Sequence, residues 1–195
     1  SKQEGTLTVT NREAKYEITV KANSATATYD GKEHEAVGVE TYEFTVEGNS
    51  YTVSGLSTED PKQKDAGSYT NNITGTPVVT DKEGNVVTSE FEVKTENGSL
   101  EIGKAAVTLK SATLSKKYDG NALVNGDTAL EVESGFAEGE GATYNFTGSQ
   151  TIVGSSANAF SYELNSNTNI DNYAISKQEG TLTVTNREAK YEITV

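Results

Sequence analysis

The 195 residues hold 29 Asp and Glu against 16 Lys and Arg, a formal charge of −13, with 10 Tyr, 18 Gly, 2 Pro and neither Cys nor Met. This balance disfavours nucleic acid, which is held by Lys and Arg that neutralise phosphates, and the lack of Cys excludes disulfides, thiolate metal sites and a cysteine nucleophile. No window approaches the apolar run of roughly 18 residues that a membrane helix needs, so a soluble chain without membrane insertion is expected.

The first twenty residues, SKQEGTLTVTNREAKYEITV, return unchanged from Ser176 to Val195, an offset of 175 residues (176 − 1). A fixed period marks a tandem array of near-identical units, and the expectation is a piece cut from a longer periodic protein. Abundant Thr, Val, Tyr, Gly and Asn favour strands and turns over helices.

In chain order, period-two alternation predicts strands at Leu7 and Val9, then at Tyr16, Ile18 and Val20. Tyr42, Phe44 and Val46, the turn Glu47-Gly48-Asn49-Ser50, and Tyr51 and Val53 read as a hairpin. Val78 and Val79, Asp81 to Asn85, and Val86 and Val87 read as a second. Phe91 and Val93, Asn97-Gly98, and Leu100 and Ile102 read as a third. The pattern restarts at Val107 and Leu109 and continues through Val132, Tyr144, Phe160, Tyr173 and Leu182.

Three landmarks align the halves. Tyr29-Asp30-Gly31 matches Tyr118-Asp119-Gly120, Asp65 to Tyr69 loosely matches Val153 to Tyr162, and Asn97 to Ile102 matches Glu179 to Val184. The period is therefore a doublet. The reading is all-β, with two tandem small β-sandwich or β-grasp-like domains in an elongated arrangement: 13–103 and 104–187, preceded by the closing strand of a previous repeat, 1–12, and followed by the opening strand of the next, 188–195. The short junction Gly103-Lys104-Ala105-Ala106 limits bending.

Candidate chemistry is sparse. In each Tyr-Asp-Gly the Gly takes positive φ, the Asp bonds its own turn, and the Tyr lays its ring on the core with the hydroxyl toward water. These six residues, Tyr29, Asp30, Gly31, Tyr118, Asp119 and Gly120, are the expected structural turn motifs. The lone His34 lacks a Cys or second His for catalysis or metal binding. The loop Asn165 to Asn172 lacks the spaced carboxylates of a calcium site, and Thr58-Glu59-Asp60-Pro61 reads as a solvated turn. No catalytic elbow, phosphate loop or zinc helix is present. The expectation is no enzyme, no cofactor and no metal.

The Tyr-Asp-Gly motif, the run Glu138 to Tyr144 followed by Thr147-Gly148-Ser149-Gln150, and the closing Glu179 to Val184 resemble the YDG and MBG repeats of bacterial surface proteins. The resemblance is good over 104–187 and weaker over 13–103. It implies tandem all-β modules of large cell-wall adhesins, an extracellular, secreted location on a bacterial cell surface of the Gram-positive kind, and no catalytic residues to carry over. Lys104, Lys116 and Lys117 are then candidates for the Lys-to-Asn or Asp amide crosslinks of adhesin stalks. The expected function is a structural stalk that projects a distal binding region, partnered by neighbouring repeats of the same chain. The alternatives are a module that binds a host glycan or protein through tyrosines such as Tyr42, Tyr51, Tyr144 and Tyr162, or one that self-associates through its terminal strands.

Overall fold

A computed structural model describes residues 5–8, 10, 14–126, 129–188, 192 and 193. The described residues are all-β, as the composition implies: twenty strands and two short 3-10 turns. They divide into two compact units, Ser1–Ala27 with Glu33–Ile102, and Thr28–Lys32 with Gly103–Val195. The first Tyr-Asp-Gly turn, expected within 13–103, thus groups with the second unit. Its backbone explains the grouping, since the Tyr29 amide donates to the Gly103 carbonyl at 2.8 Å.

The first ten strands are β1 (Tyr16–Lys21), β2 (Ala25–Thr28), β3 (His34–Glu35), β4 (Glu43–Val46), β5 (Asn49–Thr58), β6 (Lys62–Gln63), β7 (Gly67–Asn71), β8 (Ile73–Asp81), β9 (Phe91–Glu96) and β10 (Gly98–Gly103). The next ten are β11 (Ala105–Lys110), β12 (Leu114–Lys117), β13 (Leu123–Val124), β14 (Val132–Ser134), β15 (Ala142–Phe146), β16 (Ser149–Gln150), β17 (Gly154–Asn158), β18 (Phe160–Leu164), β19 (Tyr173–Gln178) and β20 (Gly180–Thr185). The 3-10 turns, Thr88–Glu90 and Ile170–Asn172, precede β9 and β19.

The pairings repeat as well as the order. β1 lies parallel to β9, and β11 lies parallel to β19. The sheets β2-β10-β7 and β12-β20-β17 correspond, as do β3-β6 with β13-β16 and the β5-β8 pair with β15-β18. The halves part where β4 pairs with β5 whereas β14 pairs with β11. The cause is local. Glu47 (φ 48°) and Gly48 (φ 79°) form a two-residue turn with both φ positive, which closes a hairpin. After β14 the chain instead passes Gly135 (φ 100°), packed so closely on β11 that a Cβ would meet the Ala106 carbonyl oxygen at 2.0 Å.

Alternation places the core. In β1, Ile18 and Val20 are buried and meet Val53, Val79 and Phe91, with Tyr16, Phe44 and Tyr51 packed around them. Burying each aliphatic or aromatic side chain stabilises by about 2 kcal/mol. Val107, Leu109, Phe160 and Tyr173 are buried in the second unit.

Several sequence expectations need correction. The hairpin expected at Asn97-Gly98 does not form: β9 and β10 belong to different sheets. Gly98 is not a positive-φ turn residue but a point of close approach, where a Cβ would lie 2.2 Å from the Asn23 carbonyl oxygen. The hairpin expected after β8 keeps its turn, with Asp81 Oδ1 accepting from the amides of Glu83 and Asn85, but its ladder shrinks to one bridge, Thr80 to Val86. The register of β7 and β17 is set by Asn71 opposite Gly98 and Asn158 opposite Gly180, so Tyr162, expected to match Tyr69, lies one strand later in β18.

Residues 5–8 and 10 form no strand, contrary to the alternation of Leu7 and Val9; a strand without a paired neighbour is not stable in water. Leu7 is 99% exposed, while Leu182, its counterpart in the repeated sequence, is fully buried. The other residues of the two terminal segments, except Ala14, Lys15, Glu179, 186–188, 192 and 193, lie outside the described residues or within β1, β19 and β20.

Candidate functional site

Both Tyr-Asp-Gly motifs are turns that follow the second strand of their half. Gly31 and Gly120 have φ of 79° and 83°. Asp30 accepts the Lys32 amide and Asp119 the Asn121 amide, each at 2.9 Å, and Tyr118 repeats the backbone bond of Tyr29 by donating to Thr185. The Lys116 ammonium, 2.8 Å away, and the Asn121 amide hold the Asp119 carboxyl below its ordinary range.

The two tyrosines differ. Tyr29 is 4% exposed, and its hydroxyl, expected to reach water, donates to Glu140 at 2.6 Å. Its ring meets Tyr173 edge-on, with centroids 5.3 Å apart. Tyr173 donates to the other oxygen of the same carboxylate at 2.8 Å and accepts the Ala137 amide, so Glu140 ties two phenols together. Burial and then the Glu140 carboxylate push the Tyr29 phenol well above its ordinary range. Burial pushes Tyr173 up as well, with Glu140 adding to it. Tyr118 is only half-buried.

The register explains the difference. Tyr173 opens β19 and sits beside Ala105, a side chain too small to cover it, and Tyr29 supplies the cover. Phe91 opens β9 and sits beside Tyr16, whose ring covers it at 5.7 Å and whose hydroxyl donates to Glu47 at 2.7 Å. Each unit thus has a tyrosine and a glutamate over the first aromatic residue of its penultimate strand. Sequence reasoning singles out neither Glu140 nor Tyr173, since nothing local in either marks a partner as distant as Tyr29, 111 residues from Glu140.

The tyrosines considered as a binding face are half-occupied by internal contacts. Tyr51 meets Phe91 edge-on at 4.8 Å, Tyr144 meets Phe160 at 6.4 Å, and Tyr144 stands opposite Tyr162 in the β15-β18 ladder. His34 is half-buried in the short β3-β6 pair opposite Gln63. The Asn165 to Asn172 loop uses its polar groups on itself and its neighbours: Asn167 donates to Gly139, Thr168 accepts from Gly141, and Asn169 accepts from Asp171. Asp60 (φ 53°) is exposed, as a solvated turn implies, and accepts from the Gly38 amide and the Thr58 hydroxyl, which together lower its carboxyl from the ordinary range. Lys116 and Lys117 make ion pairs with Asp119 and Glu188. No group of three or more potential metal ligands occurs among the described residues.

The most extended arrangement is made by the strands themselves. β11 and β12 form one arm and β19 and β20 another. They run side by side in parallel, from Ala105 opposite Tyr173 to Lys110 opposite Gln178, then from Leu114 opposite Leu182 to Lys117 opposite Thr185. Each arm crosses from one sheet to the next at a tight point. Asn158 is buried there, donating to the Ala112 carbonyl and to Asn125 Oδ1, and Ser111 Oγ donates to the Asn158 carbonyl and accepts the Gly180 amide. Asn71 occupies the same place in the first unit, donating to the Asn23 carbonyl and accepting the Asp60 amide. Sequence reasoning misses these pins, although Asn71 and Asn158 each end the strand that faces a repeated Gly-x-Leu.

No family model, no curated protein and no solved structure matches the chain.

Proposed function

We propose that this chain is a load-bearing stalk repeat of a large bacterial cell-surface adhesin, a spacer of the YDG and MBG kind that projects a distal binding region from the cell wall. The identical 20-residue segments support an array, and the near-identical strand order of the two halves supports growth by duplication of one unit.

One observation carries the reading. The chain enters the second unit on the arm that pairs in parallel with the arm on which it leaves. Tension applied along the chain pulls parallel arms past one another, so many backbone hydrogen bonds must fail together and not in turn. The first unit repeats this at β1 and β9 over six positions. Such a unit resists force through its unfolding barrier, whatever its equilibrium stability.

The test is single-molecule pulling of the whole chain. Tension at the chain ends should give high unfolding forces. Tension between cysteines introduced at Lys104 and Asn172, beside the adjoining starts of β11 and β19, should peel the same pairs apart at a much lower force. Equal forces in both geometries would remove the support for a mechanical role.

A further inference from the structure

Two Asn-Gly steps occur in the chain, Asn97-Gly98 and Asn125-Gly126. At such a step the asparagine amide is open to attack by the next backbone nitrogen, because glycine has no side chain to keep that nitrogen away from Cγ. The two steps have opposite surroundings.

Asn97-Gly98 is locked. The Asn97 Oδ1 accepts the Ile73 amide at 3.0 Å, and its Nδ2 donates to Asn72 Oδ1 at 2.8 Å. Gly98 is buried, opens β10 opposite Asn71, and packs so closely on the Asn23 carbonyl that no Cβ fits. Ring closure needs the Gly98 nitrogen to turn toward the Asn97 side chain, and the ladder on one side and the paired amide on the other prevent it.

Asn125-Gly126 directly follows the short β13. Gly126 is exposed, belongs to no strand, has no positive φ, and a Cβ on it would meet nothing within 4 Å. The Asn125 Nδ2 makes a long bond of 3.4 Å to the Ala129 carbonyl. Its Oδ1 accepts from Asn158 Nδ2 at 2.7 Å, so a donor already sits on the oxygen that gains charge when Cγ is attacked.

We propose that Asn125 is a site of spontaneous deamidation in the folded chain, that Asn97 is protected by its fold, and that the reaction loosens the pin at which the arms of the second unit cross. Hydroxide takes the proton of the Gly126 amide, and the nitrogen bonds to Asn125 Cγ. The bond from Cγ to Nδ2 breaks, and ammonia leaves with a proton returned by water. Water then opens the resulting succinimide at either carbonyl, giving an aspartate or an isoaspartate at this position. An aspartate keeps the acceptor for Asn158. An isoaspartate adds a methylene carbon to the backbone and turns that oxygen into a main-chain carbonyl, which moves it from Asn158. Asn158 is fully buried, its Oδ1 has no partner among the described residues, and its amide donates to Ala112 and Asn125. Losing the second bond leaves a buried donor unsatisfied. The chemistry does not depend on the stalk reading.

The test is ageing of the full chain in mildly alkaline buffer, followed by peptide mapping that separates asparagine, aspartate and isoaspartate at each step. In the folded chain Asn125 should convert at least about tenfold faster than Asn97. In concentrated guanidinium chloride, where both steps are free, the two should convert at comparable rates. Equal conversion in the folded chain overturns the proposal, as does an Asn125 that stays intact until the chain is denatured. Gly126→Ala, which the open surroundings accept, should slow conversion at Asn125 at least about tenfold. Aged in parallel, this variant should keep its thermal midpoint. The isoaspartate form of the natural sequence, separated by ion exchange, should unfold in its second unit roughly 5 °C lower. Asn125→Asp, which keeps both the backbone and the acceptor, should unfold with the unaged chain. An isoaspartate form that also unfolds with the unaged chain overturns the loosening of the pin.

Discussion

Phe91 and Tyr173 occupy the same place in their respective units, the first position of the strand that pairs in parallel with the entering one, and each needs an aromatic cover. Tyr16 covers Phe91 from the adjacent register position, and Tyr29 covers Tyr173 from a turn earlier in the chain. The two hydroxyl-to-glutamate bonds differ in setting, being exposed for Tyr16 and part-buried for Tyr29. Removing a hydroxyl that serves a carboxylate away from water costs more than removing one in water. Tyr29→Phe should therefore destabilise the second unit by about 2 kcal/mol in urea unfolding, and Tyr16→Phe should cost the first unit no more than about 0.5 kcal/mol. Equal effects would mean that Glu140 gains nothing from its burial. The same residues set an alkaline limit. The phenols of Tyr29, Tyr144 and Tyr173 are all raised in the folded chain, chiefly by burial, with Glu140 or Glu133 adding to it. A raised folded value means that their contribution is fully present below the unfolded phenol value of about 10 and is lost as pH rises through the folded values. Tyrosinate absorbance from these three phenols should accordingly appear only above the ordinary phenol range, together with unfolding of the second unit.

Gly98 and Gly180 show how a strand can be specified by what cannot fit beside it. Each sits where one arm crosses the other, with carbonyl oxygens at 2.2 and 2.3 Å from a would-be Cβ. Those oxygens belong to backbone and cannot swing aside, so Gly180→Ala should destabilise the second unit by about 3 kcal/mol. Gly5→Ala, the same change in the exposed copy, should leave the thermal midpoint of the monomer unmoved, and a matching loss would show that residues 5–10 are already held somewhere. These glycines also mark the limit of what periodicity reveals. The alternation of Ile18 with Val20 and of Val107 with Leu109 names the buried faces of β1 and β11, and positive φ at Gly31, Gly48 and Gly120 is legible because turn chemistry is local. Pairing partners are not legible, for a strand of Thr and Val looks the same beside a parallel neighbour as beside an antiparallel one. Asn97-Gly98 reads as a hairpin turn because the sequence shows the glycine but not whether it is needed for its φ or for its lack of a Cβ. Glu140 is invisible for a related reason: its role appears only when Tyr29 and Tyr173 are brought to it.

At the scale of the molecule the dominant feature is the acid excess, 29 against 16. The ion pairs do little to offset it. Lys21 with Glu96, Lys94 with Glu17 and Lys117 with Glu188 all have both side chains about half exposed or more, and water screens such pairs so that they add little to stability. Repulsion among the remaining carboxylates is screened over a Debye length of about 30 Å at 0.01 M salt and of about 8 Å at 0.15 M. Screening therefore weakens attraction and repulsion together, and the sign of the net effect reports which is larger. With −13 to disperse, repulsion is the larger: raising sodium chloride from about 0.01 to 0.15 M should raise the midpoint of thermal unfolding by roughly 4 °C, and an uncharged osmolyte should leave the charge-dependent part of that shift unchanged. A midpoint that falls instead would assign more of the stability to the lysine-carboxylate pairs along the parallel arms, and the two lysines that bridge β1 to β9, Lys21 and Lys94, would be the first to replace.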